Sequence, residues 1–208
     1  MKKVFCLVLA CLLLSLSLVS CSKDENLDKV TPASEKTDYV AIQIEKFGTI
    51  VVHLRSDVAP ITVANFQKLV SEKFYDGLIF HRVIEGFMIQ GGDPKGNGTG
   101  GSAETIKGEF SANGVNNTLS HKRGVISMAR QGENPYTGEM NYDSASSQFF
   151  ICHADSVFLD GQYASFGEVV YGLEVVDAIA AVQTNSSDKP LENVVITSIQ
   201  FVTLKEGA

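Results

Sequence analysis

Alternating apolar and polar residues mark the start of the folded part of the chain. In residues 40–45 every second residue is Val or Ile, and residues 49–54 form a second apolar run after Gly48. Alternation with a period of two predicts a strand with one buried face, and a glycine between two such runs predicts a turn. These residues therefore indicate a strand, a turn and a second strand.

Two later segments have apolar residues at helical spacing. The first begins at Pro60, a residue favoured in the first turn of a helix, and its apolar stripe continues to about Lys73. The second lies towards the C-terminal end of the chain. Both patterns predict α-helices that pack one face on a core. The stripes consist of Val63, Phe66, Leu69 and Val70 in the first segment and Leu173, Val176 and Ile179 in the second.

Short apolar runs between Gly-rich turns fill the rest of this part of the chain. Together with the first two runs they give about eight strands, without the strand–helix alternation that is typical of a parallel sheet. We therefore predict a mainly β domain, a closed eight-stranded antiparallel β-barrel capped by two α-helices. Periodicity alone does not separate this barrel from a β-sandwich. The runs are residues 78–84, 87–90, 124–129, 148–152, 164–170 and 194–204.

The N-terminus has a composition unlike the rest of the chain. A short basic start, Met-Lys-Lys, precedes the apolar run of residues 4–14, and small and apolar residues then lead to Cys21. This pattern is typical of a secretory signal peptide, residues 1–20, with an uncleaved membrane anchor as the alternative. Residues 18–21, Leu-Val-Ser-Cys, resemble a bacterial lipobox. That resemblance implies lipidation of Cys21 and anchoring to a membrane outside the cytoplasm, at the periplasmic face or the cell surface.

The remaining sequence divides into two parts. Residues 22–38 are polar and lack periodicity, which predicts a flexible tether. We therefore expect a signal peptide over residues 1–20, the lipidated cysteine and its tether over residues 21–38, and a single domain over residues 39–205.

Charge and cysteine content argue against nucleic acid as a partner and against a disulfide within the domain. The chain has 208 residues and a formal net charge of −7, and loss of Lys2 and Lys3 with the signal peptide makes the charge more negative. Nucleic acid is therefore not expected as a partner, because phosphate binding needs a clustered basic surface. Cys152 is the one cysteine of the predicted domain, so no disulfide forms within it. Cys152 lies in an apolar run, which indicates a buried, inert thiol. We expect a monomer.

Several familiar motifs fail on their context. Residues 96–101 read Gly-Asn-Gly-Thr-Gly-Gly, which matches G-x-G-x-x-G. A dinucleotide site needs a strand before this motif and a helix after it, and polar residues stand on both sides here. A tight loop is the better interpretation. The four histidines lack the spacing of metal ligands, so we expect no metal and no cofactor.

The segment of residues 80–93 places one cationic residue, Arg82, among apolar residues. Phe87 and Met88 follow after a glycine turn, and the amide of Gln90 comes next. An unpaired buried charge is costly, so Arg82 either pairs with a carboxylate or has a function in a cavity. The segment alone leaves both interpretations open.

The order of several motifs resembles the cyclophilin family of peptidyl-prolyl cis–trans isomerases. The resemblance extends from about Tyr39 to Leu204 and includes residues 80–93. It implies an eight-stranded barrel with two helices, and a reaction that needs no metal or cofactor. The other motifs are Ala-Pro-Ile-Thr-Val-Ala-Asn-Phe at residues 59–66, Phe-Tyr-Asp-Gly-Leu at 74–78, Gly-Thr-Gly-Gly at 98–101, Gly-Val-Ile-Ser-Met-Ala at 124–129, Ser-Gln-Phe-Phe-Ile at 147–151 and Phe-Leu-Asp-Gly at 158–161.

Carried over position by position, the resemblance implies a role for each site residue. Arg82 would be the catalytic arginine, with Gln90 and Phe87 beside it, and would act on the prolyl nitrogen. The substrates implied are Pro-containing polypeptides, here unfolded exported proteins. A module that only binds peptides in the same groove is the alternative. The substrate-binding residues implied are Met88, Phe150 and Leu159 in a proline pocket, Gln148 as a polar partner, Ala129 and Arg130 at the substrate backbone, and Phe158 and Tyr163 at the rim.

This chain departs from the family pattern in two ways. Many members have Asn in place of Arg130, Trp in place of Phe158 and His in place of Tyr163. Residues 131–146 also form a longer polar segment than most members have, and it is punctuated by Gly and Pro. This segment is either a tolerated surface insertion or a rim that narrows the range of substrates.

Overall fold

A computed structural model describes residues 29–205 of the chain, so the predicted signal peptide, lipobox and Cys21 lie outside the described residues. Within that range no helix is both long and apolar enough to cross a membrane. The described residues form nine strands and two α-helices: β1 (Val30–Pro32), β2 (Tyr39–Ile44), β3 (Gly48–Leu54), α1 (Pro60–Ser71), β4 (Arg82–Ile84), β5 (Met88–Gly91), β6 (Val125–Met128), β7 (Phe149–Cys152), β8 (Ser165–Tyr171), α2 (Leu173–Ala180) and β9 (Ile196–Leu204).

The strands form one antiparallel sheet in the order β1-β9-β2-β3-β8-β6-β7-β5-β4. The predicted strand–turn–strand at its centre is confirmed, because β2 and β3 pair with Ile42 opposite Ile50. The regular ladders leave β1 and β4 at the two edges, so the prediction of a closed barrel is not confirmed. Residues just before β4 nevertheless approach the start of β9, where Ile79 and Val195 form an isolated bridge.

The core lies between the sheet and the two α-helices, α1 and α2. The predicted stripe of α1 is confirmed, since Val63, Phe66, Leu69 and Val70 are all buried. Phe66 contacts a group of buried rings, with ring centroids 5.1 Å from Tyr75 and 5.2 Å from Phe166. Burial of each such side chain contributes about 1.5–3 kcal/mol, so this cluster stabilises the sheet that carries the site described below.

The predicted tether is wrong for residues 30–32, which form β1 and pair with Val202–Leu204 of β9. The segment after β1 is also attached to the domain, because the Thr37 hydroxyl donates to the Val202 carbonyl at 2.7 Å. Three residues that include Pro32 give too short an alternation to be recognised in the sequence. A proline is tolerated there because β1 is an edge strand. The folded domain therefore begins about nine residues earlier than Tyr39, at Val30.

Candidate active site

One open cavity of ≈ 520 Å³ lies on the outer face of β4, β5 and β7. It is bounded by the end of β6 and by a 3₁₀ turn at Val157–Leu159. Nine of the residues that the sequence assigned to the site line this cavity, so the chain brings them together from distant segments. They are Arg82, Phe87, Met88, Gln90, Ala129, Arg130, Phe150, Leu159 and Tyr163.

The floor of the cavity is apolar. Met88 and Phe150 are almost completely buried and belong with Leu159 to one hydrophobic cluster, separate from the main core. Phe87 and Tyr163 pack against this cluster, and the Tyr163 ring meets Phe150 edge-on at 5.9 Å. The resulting surface can hold a small apolar ring and exclude water from it.

The polar side of the cavity is carried by the neighbouring strands β4 and β5. Arg82 lies opposite Gln90 in the register of this pair, so the two side chains are cross-strand neighbours. The Arg82 side chain is 42% exposed, and its Nε lies 3.4 Å from Asp188 Oδ2. Arg82 therefore has a carboxylate partner and also lines the cavity, so its function there stays a prediction.

Two glutamines connect the cavity to an adjoining cleft. The Gln90 amide donates to Gln148 Oε1 at 2.9 Å, and the Gln148 amide donates to the carbonyls of Gly98 and Gly100. Gln148 does not line the main cavity but lines the adjoining cleft. Gln148 was predicted as a polar partner beside Arg82, but its side-chain partner is Gln90 and Arg82 is not among its hydrogen-bond partners.

The glycine-rich loop of residues 96–101 is held by Asp93. Its carboxylate accepts from the backbone N–H groups of Lys95, Asn97 and Gly98 at 2.6–3.0 Å. Burial raises the pKa of Asp93, but these hydrogen bonds outweigh it and the pKa is lowered overall. A Cβ at Gly100 would clash with the Asp93 carboxylate. The loop is therefore a tight turn that needs glycine for close approach, as the sequence predicted.

Arg130 forms a second wall and is held by aromatic rings. Its guanidinium carbon lies 4.7 Å from the centroid of Tyr163 and 5.1 Å from that of Tyr142. The Arg130 Nε also donates to the Gln162 carbonyl at 2.9 Å. Since several partners hold the side chain, it acts as a rigid part of the wall. The Ala129 N–H already donates to the Gln148 carbonyl, so that donor is not free for a substrate.

Phe158 lies at the rim and does not line the cavity. Its side chain is 70% exposed, and its ring centroid is 5.5 Å from that of Phe87. The contact places Phe158 beside Phe87, and its role at the rim stays a prediction.

A buried histidine holds the segment that carries Leu159. His121 Nδ1 lies 2.8 Å from Asp160 Oδ1, and His121 Nε2 lies 3.0 Å from the Ser127 hydroxyl. The Ser120 hydroxyl also donates to Asp160. Burial lowers the pKa of His121 more than Asp160 raises it. Burial raises the pKa of Asp160, but hydrogen bonds from Ser120 and His121 bring it below its ordinary value.

A second histidine fixes the turn that carries Phe87. The Gly86 N–H donates to His153 Nδ1 at 2.9 Å, and the His153 N–H donates to the Phe87 carbonyl. His153 Nε2 lies 3.1 Å from Asp177 Oδ1, and the same oxygen accepts a hydrogen bond from the guanidinium of Arg123. Because Nδ1 accepts a hydrogen bond, the ring proton lies on Nε2 and faces the carboxylate.

Sequence reasoning missed one whole wall of the cavity. A polar turn between α2 and β9 supplies part of it, and residues flanking Arg82 and the glycine-rich loop supply the rest. His81 is 5% exposed, neither ring nitrogen has a partner among residues 29–205, and burial lowers its pKa. Within the described residues no three His, Cys, Asp or Glu side chains converge as metal ligands do. The missed residues are His81, Asn97, Gly98, Asn185, Ser187 and Lys189.

The sequence and the fold were compared with those of known proteins. The family model described as "Cyclophilin type peptidyl-prolyl cis-trans isomerase/CLD" matches residues 39–201. "Peptidyl-prolyl cis-trans isomerase B" of Bacillus subtilis (strain 168) is 45% identical over 139 residues, which cover 67% of this chain and 87% of that protein. "Peptidyl-prolyl cis-trans isomerase ppi1" of Schizosaccharomyces pombe is 43% identical over 146 residues, or 70% of this chain and 87% of that protein.

Comparison of the fold with solved structures leads to the same family as comparison of the sequence. The crystal structure of a cyclophilin type peptidyl-prolyl cis-trans isomerase from Cryptosporidium parvum matches with a TM-score of 0.71 and 29% sequence identity. The match covers 81% of this chain and 98% of that one. It agrees with the observed sheet and its two helices, and with the family match over residues 39–201. The chain therefore belongs to the cyclophilin family of peptidyl-prolyl cis–trans isomerases.

Proposed function

We propose that this isomerase accelerates rotation about X-Pro bonds in exported proteins and that Arg82 donates to the prolyl nitrogen as the bond twists. The observation that carries the proposal is the position of Arg82. Its guanidinium stands at the side of an apolar floor formed by Met88, Phe150 and Leu159, within one cavity. A proline ring fits such a floor, and its nitrogen then faces the polar side.

The chemistry of the bond explains why a cation is useful there. The X-Pro bond has partial double-bond character and isomerises over about tens to hundreds of seconds without help. In the twisted transition state conjugation is lost, and the prolyl nitrogen gains lone-pair density. A donor held against that nitrogen stabilises the twisted form more than either planar form, which is the condition for catalysis. The reaction breaks no covalent bond, so it needs no nucleophile.

The other site residues hold the substrate while the bond turns. The proline ring packs against Phe87, Met88, Phe150 and Leu159. Tyr163 and Phe158 lie at the rim of the cavity. Gln90 accepts from the substrate backbone beside Arg82 through its side-chain oxygen, and Gln148 orients Gln90. Ala129 and Arg130 shape the opposite side, where the polypeptide leaves the cavity. This assignment rests on the lining of the cavity and on the hydrogen bonds of the two glutamines.

The place of action follows from the N-terminal sequence. The signal-like residues 1–20 and the lipobox-like Leu-Val-Ser-Cys at residues 18–21 support a lipid anchor on Cys21 of a bacterial lipoprotein. An enzyme anchored in this way meets polypeptides as they emerge outside the cytoplasmic membrane. We therefore assign its clients to unfolded exported proteins that contain proline, with a monomeric enzyme acting on each.

The test is the isomerase activity of Arg82→Ala towards a Pro-containing peptide, measured by NMR exchange or by a protease-coupled assay. We expect kcat/KM to fall about a hundredfold or more, as when a single transition-state donor is removed elsewhere. Arg55→Ala is the matched control, because Arg55 pairs with Asp57 on the surface away from the cavity. Near-normal turnover in a folded Arg82→Ala protein would overturn the mechanism. Peptide binding by a wild-type protein that lacks turnover would instead favour a binding module.

A further inference from the structure

Arg82 has one charged partner among the described residues, and it comes from the missed wall of the cavity. Arg82 Nε lies 3.4 Å from Asp188 Oδ2, and the two side chains are 42% and 43% exposed. No protein acceptor within residues 29–205 receives a hydrogen bond from the guanidinium Nη groups. The carboxylate therefore lies at the Nε side of the guanidinium and leaves the Nη groups without a protein partner among those residues.

Asp188 is held in place by a tight turn. Asn185 Oδ1 accepts from the N–H groups of Ser187 and Lys189 at 2.9 and 3.1 Å. The Asp188 N–H donates to the Asn185 carbonyl at 3.0 Å. Asp188 itself has φ of 61°, a left-handed conformation that Asp and Asn tolerate better than other side-chain-bearing residues. The turn thus fixes the direction in which the carboxylate leaves the backbone.

The same turn is attached to the strand that carries Arg82. The Val83 N–H donates to the Asp188 carbonyl at 2.8 Å, so Asp188 bonds to the neighbour of Arg82 through the main chain. Lys189 Nζ donates to the Gly96 carbonyl at 3.1 Å and ties the turn to the glycine-rich loop. The carboxylate and the guanidinium are therefore brought together by backbone contacts and not by their own attraction alone.

We propose that Asp188 is a positioning residue for Arg82. This inference rests on the proposed function, because it concerns the group that acts on the prolyl nitrogen. An arginine side chain has many rotamers, and a donor is effective only when it is held near the position it takes in the transition state. Asp188 selects the rotamers that direct the Nη side into the cavity. An exposed ion pair contributes little to stability, so its effect appears in catalysis.

The test compares Asp188→Asn with Glu192→Gln. Asn keeps the left-handed turn and removes only the charge. Glu192 is exposed, lies in the same connection between α2 and β9, and is not paired with Arg82, so its substitution controls for the loss of one negative charge. We expect Asp188→Asn to lower kcat about fivefold, the upper value for an exposed pair, with KM and melting temperature unchanged. Glu192→Gln should leave all three unchanged.

The Nε–H signal of Arg82 in a ¹H–¹⁵N NMR spectrum distinguishes the two possible roles of Asp188. If Asp188 were only structural, its substitution would leave this signal unchanged. Asp188→Asn should shift this signal and speed its exchange with water, while the backbone signals of β4 stay in place. An unchanged or higher kcat, or a loss explained by KM or by unfolding, overturns the inference. Its failure differs from that of the proposed function, since Arg82→Ala would still be inactive if only Asp188 were misassigned.

Discussion

The Gln90 side-chain amide donates to Gln148 Oε1 at 2.9 Å, and this contact fixes the orientation of both amides. The Gln148 amide nitrogen faces two carbonyls, those of Gly98 and Gly100, at 3.1 and 2.7 Å. Carbonyls only accept, so the Gln148 oxygen must face Gln90. Gln90 then uses its nitrogen for this contact, which leaves its oxygen available in the cavity as an acceptor for a substrate N–H.

Gln148→Glu should disrupt this arrangement more than the small change in size suggests. A carboxylate can still accept from the Gln90 amide, but it cannot donate to the carbonyls of Gly98 and Gly100 and repels them, so the loop loses its partner and the side chain turns away from it. Leaving such groups unpaired costs about 1–3 kcal/mol, and we expect kcat/KM on a Pro-containing peptide to fall about tenfold or more. Gln131→Glu is the control, because the exposed Gln131 lines the same cleft and its side chain makes no hydrogen bond within residues 29–205. Normal activity of Gln148→Glu would contradict the assigned orientation.

The parts of the fold that could be predicted are those with a local signal. The alternation of β2 and the apolar stripe of α1 lie within single segments, and both were correct. The roles of Arg82 and Phe150 came from the resemblance to a family, because nothing local connects two residues so far apart in the chain. Asp188 lies still farther from Arg82, in a polar turn without a motif. Its contact with Arg82 could be seen only in the structure, where the turn that precedes β9 accepts a hydrogen bond from the Val83 N–H of β4.

Acid should destabilise the domain through the buried His121 and its partner Asp160. Burial lowers the pKa of His121 in the folded state, so the unfolded chain takes up a proton first as pH falls below about 6.5. Stability is then lost from that pH downwards, towards the lower folded pKa. The pKa of Asp160 is also lowered, and its contribution is present above about pH 3.9 and is lost as pH falls through its folded value.

Urea unfolding at a series of pH values measures this effect. One proton changes the free energy of unfolding by at most about 1.4 kcal/mol per pH unit. His121→Gln should be less stable at neutral pH and should lose part of the slope below pH 6.5 that the wild type shows. His53→Gln, which removes a histidine stacked on Tyr39, should keep that slope. Equal slopes in His121→Gln and the wild type would show that this histidine is not the origin.

Cys152 should be inert in the native protein at neutral pH. The residue is completely buried behind Met88 and Phe150, and burial raises the pKa of its thiol to about 12. A thiol reagent should therefore react at pH 8 only when the domain unfolds, whereas the thiol of the unfolded chain, with a pKa of about 8.5, reacts readily. Because the folded pKa is the higher one, this thiol's contribution to stability is lost as pH rises from about 8.5 to the folded value.

A fragment that starts at residue 22 retains Cys152 as its sole cysteine, so its labelling is unambiguous. The rate of labelling of Cys152 by a chromogenic disulfide reagent is measured with and without urea. The rate without urea should fall further when a Pro-containing peptide is bound, because ligand reduces unfolding. Rapid labelling of the folded fragment would contradict the predicted burial.

The hairpin tip of the segment of residues 131–146, residues 134–139, should affect the choice of substrate and not the fold. The segment forms a small hairpin in which Glu133 and Met140 make an isolated bridge, and the Tyr136 side chain at its tip is 97% exposed. Its base continues the cleft lined by Gln131 and Gln148, which in the proposed function receives the polypeptide that leaves the cavity. Deletion of residues 134–139 should leave the melting temperature and the turnover of a tetrapeptide unchanged. A protein substrate whose refolding is limited by proline isomerisation should be refolded faster by the deletion variant, because the deletion removes part of the rim that restricts access to the site.

A hairpin that serves only as an inserted loop gives a different result. The ratio of protein to tetrapeptide activity would then be the same with and without residues 134–139. Tyr136→Ser, which changes the tip without shortening the loop, is the matched control. It should leave the ratio unchanged if the height of the hairpin, and not its aromatic tip, restricts the substrate.

Cys21→Ser should release the protein from the membrane of the producing bacterium. The predicted anchor consists of acyl chains on Cys21, and two or more chains give stable attachment where a single chain does not. Serine cannot carry the thioether-linked lipid, so the protein should move from the membrane fraction to the soluble extracytoplasmic fraction, with the mass of the acyl groups lost. Cys11→Ser is the matched control, because Cys11 lies within the predicted signal peptide and is removed with it. Retention of Cys21→Ser on the membrane would instead support an uncleaved N-terminal anchor.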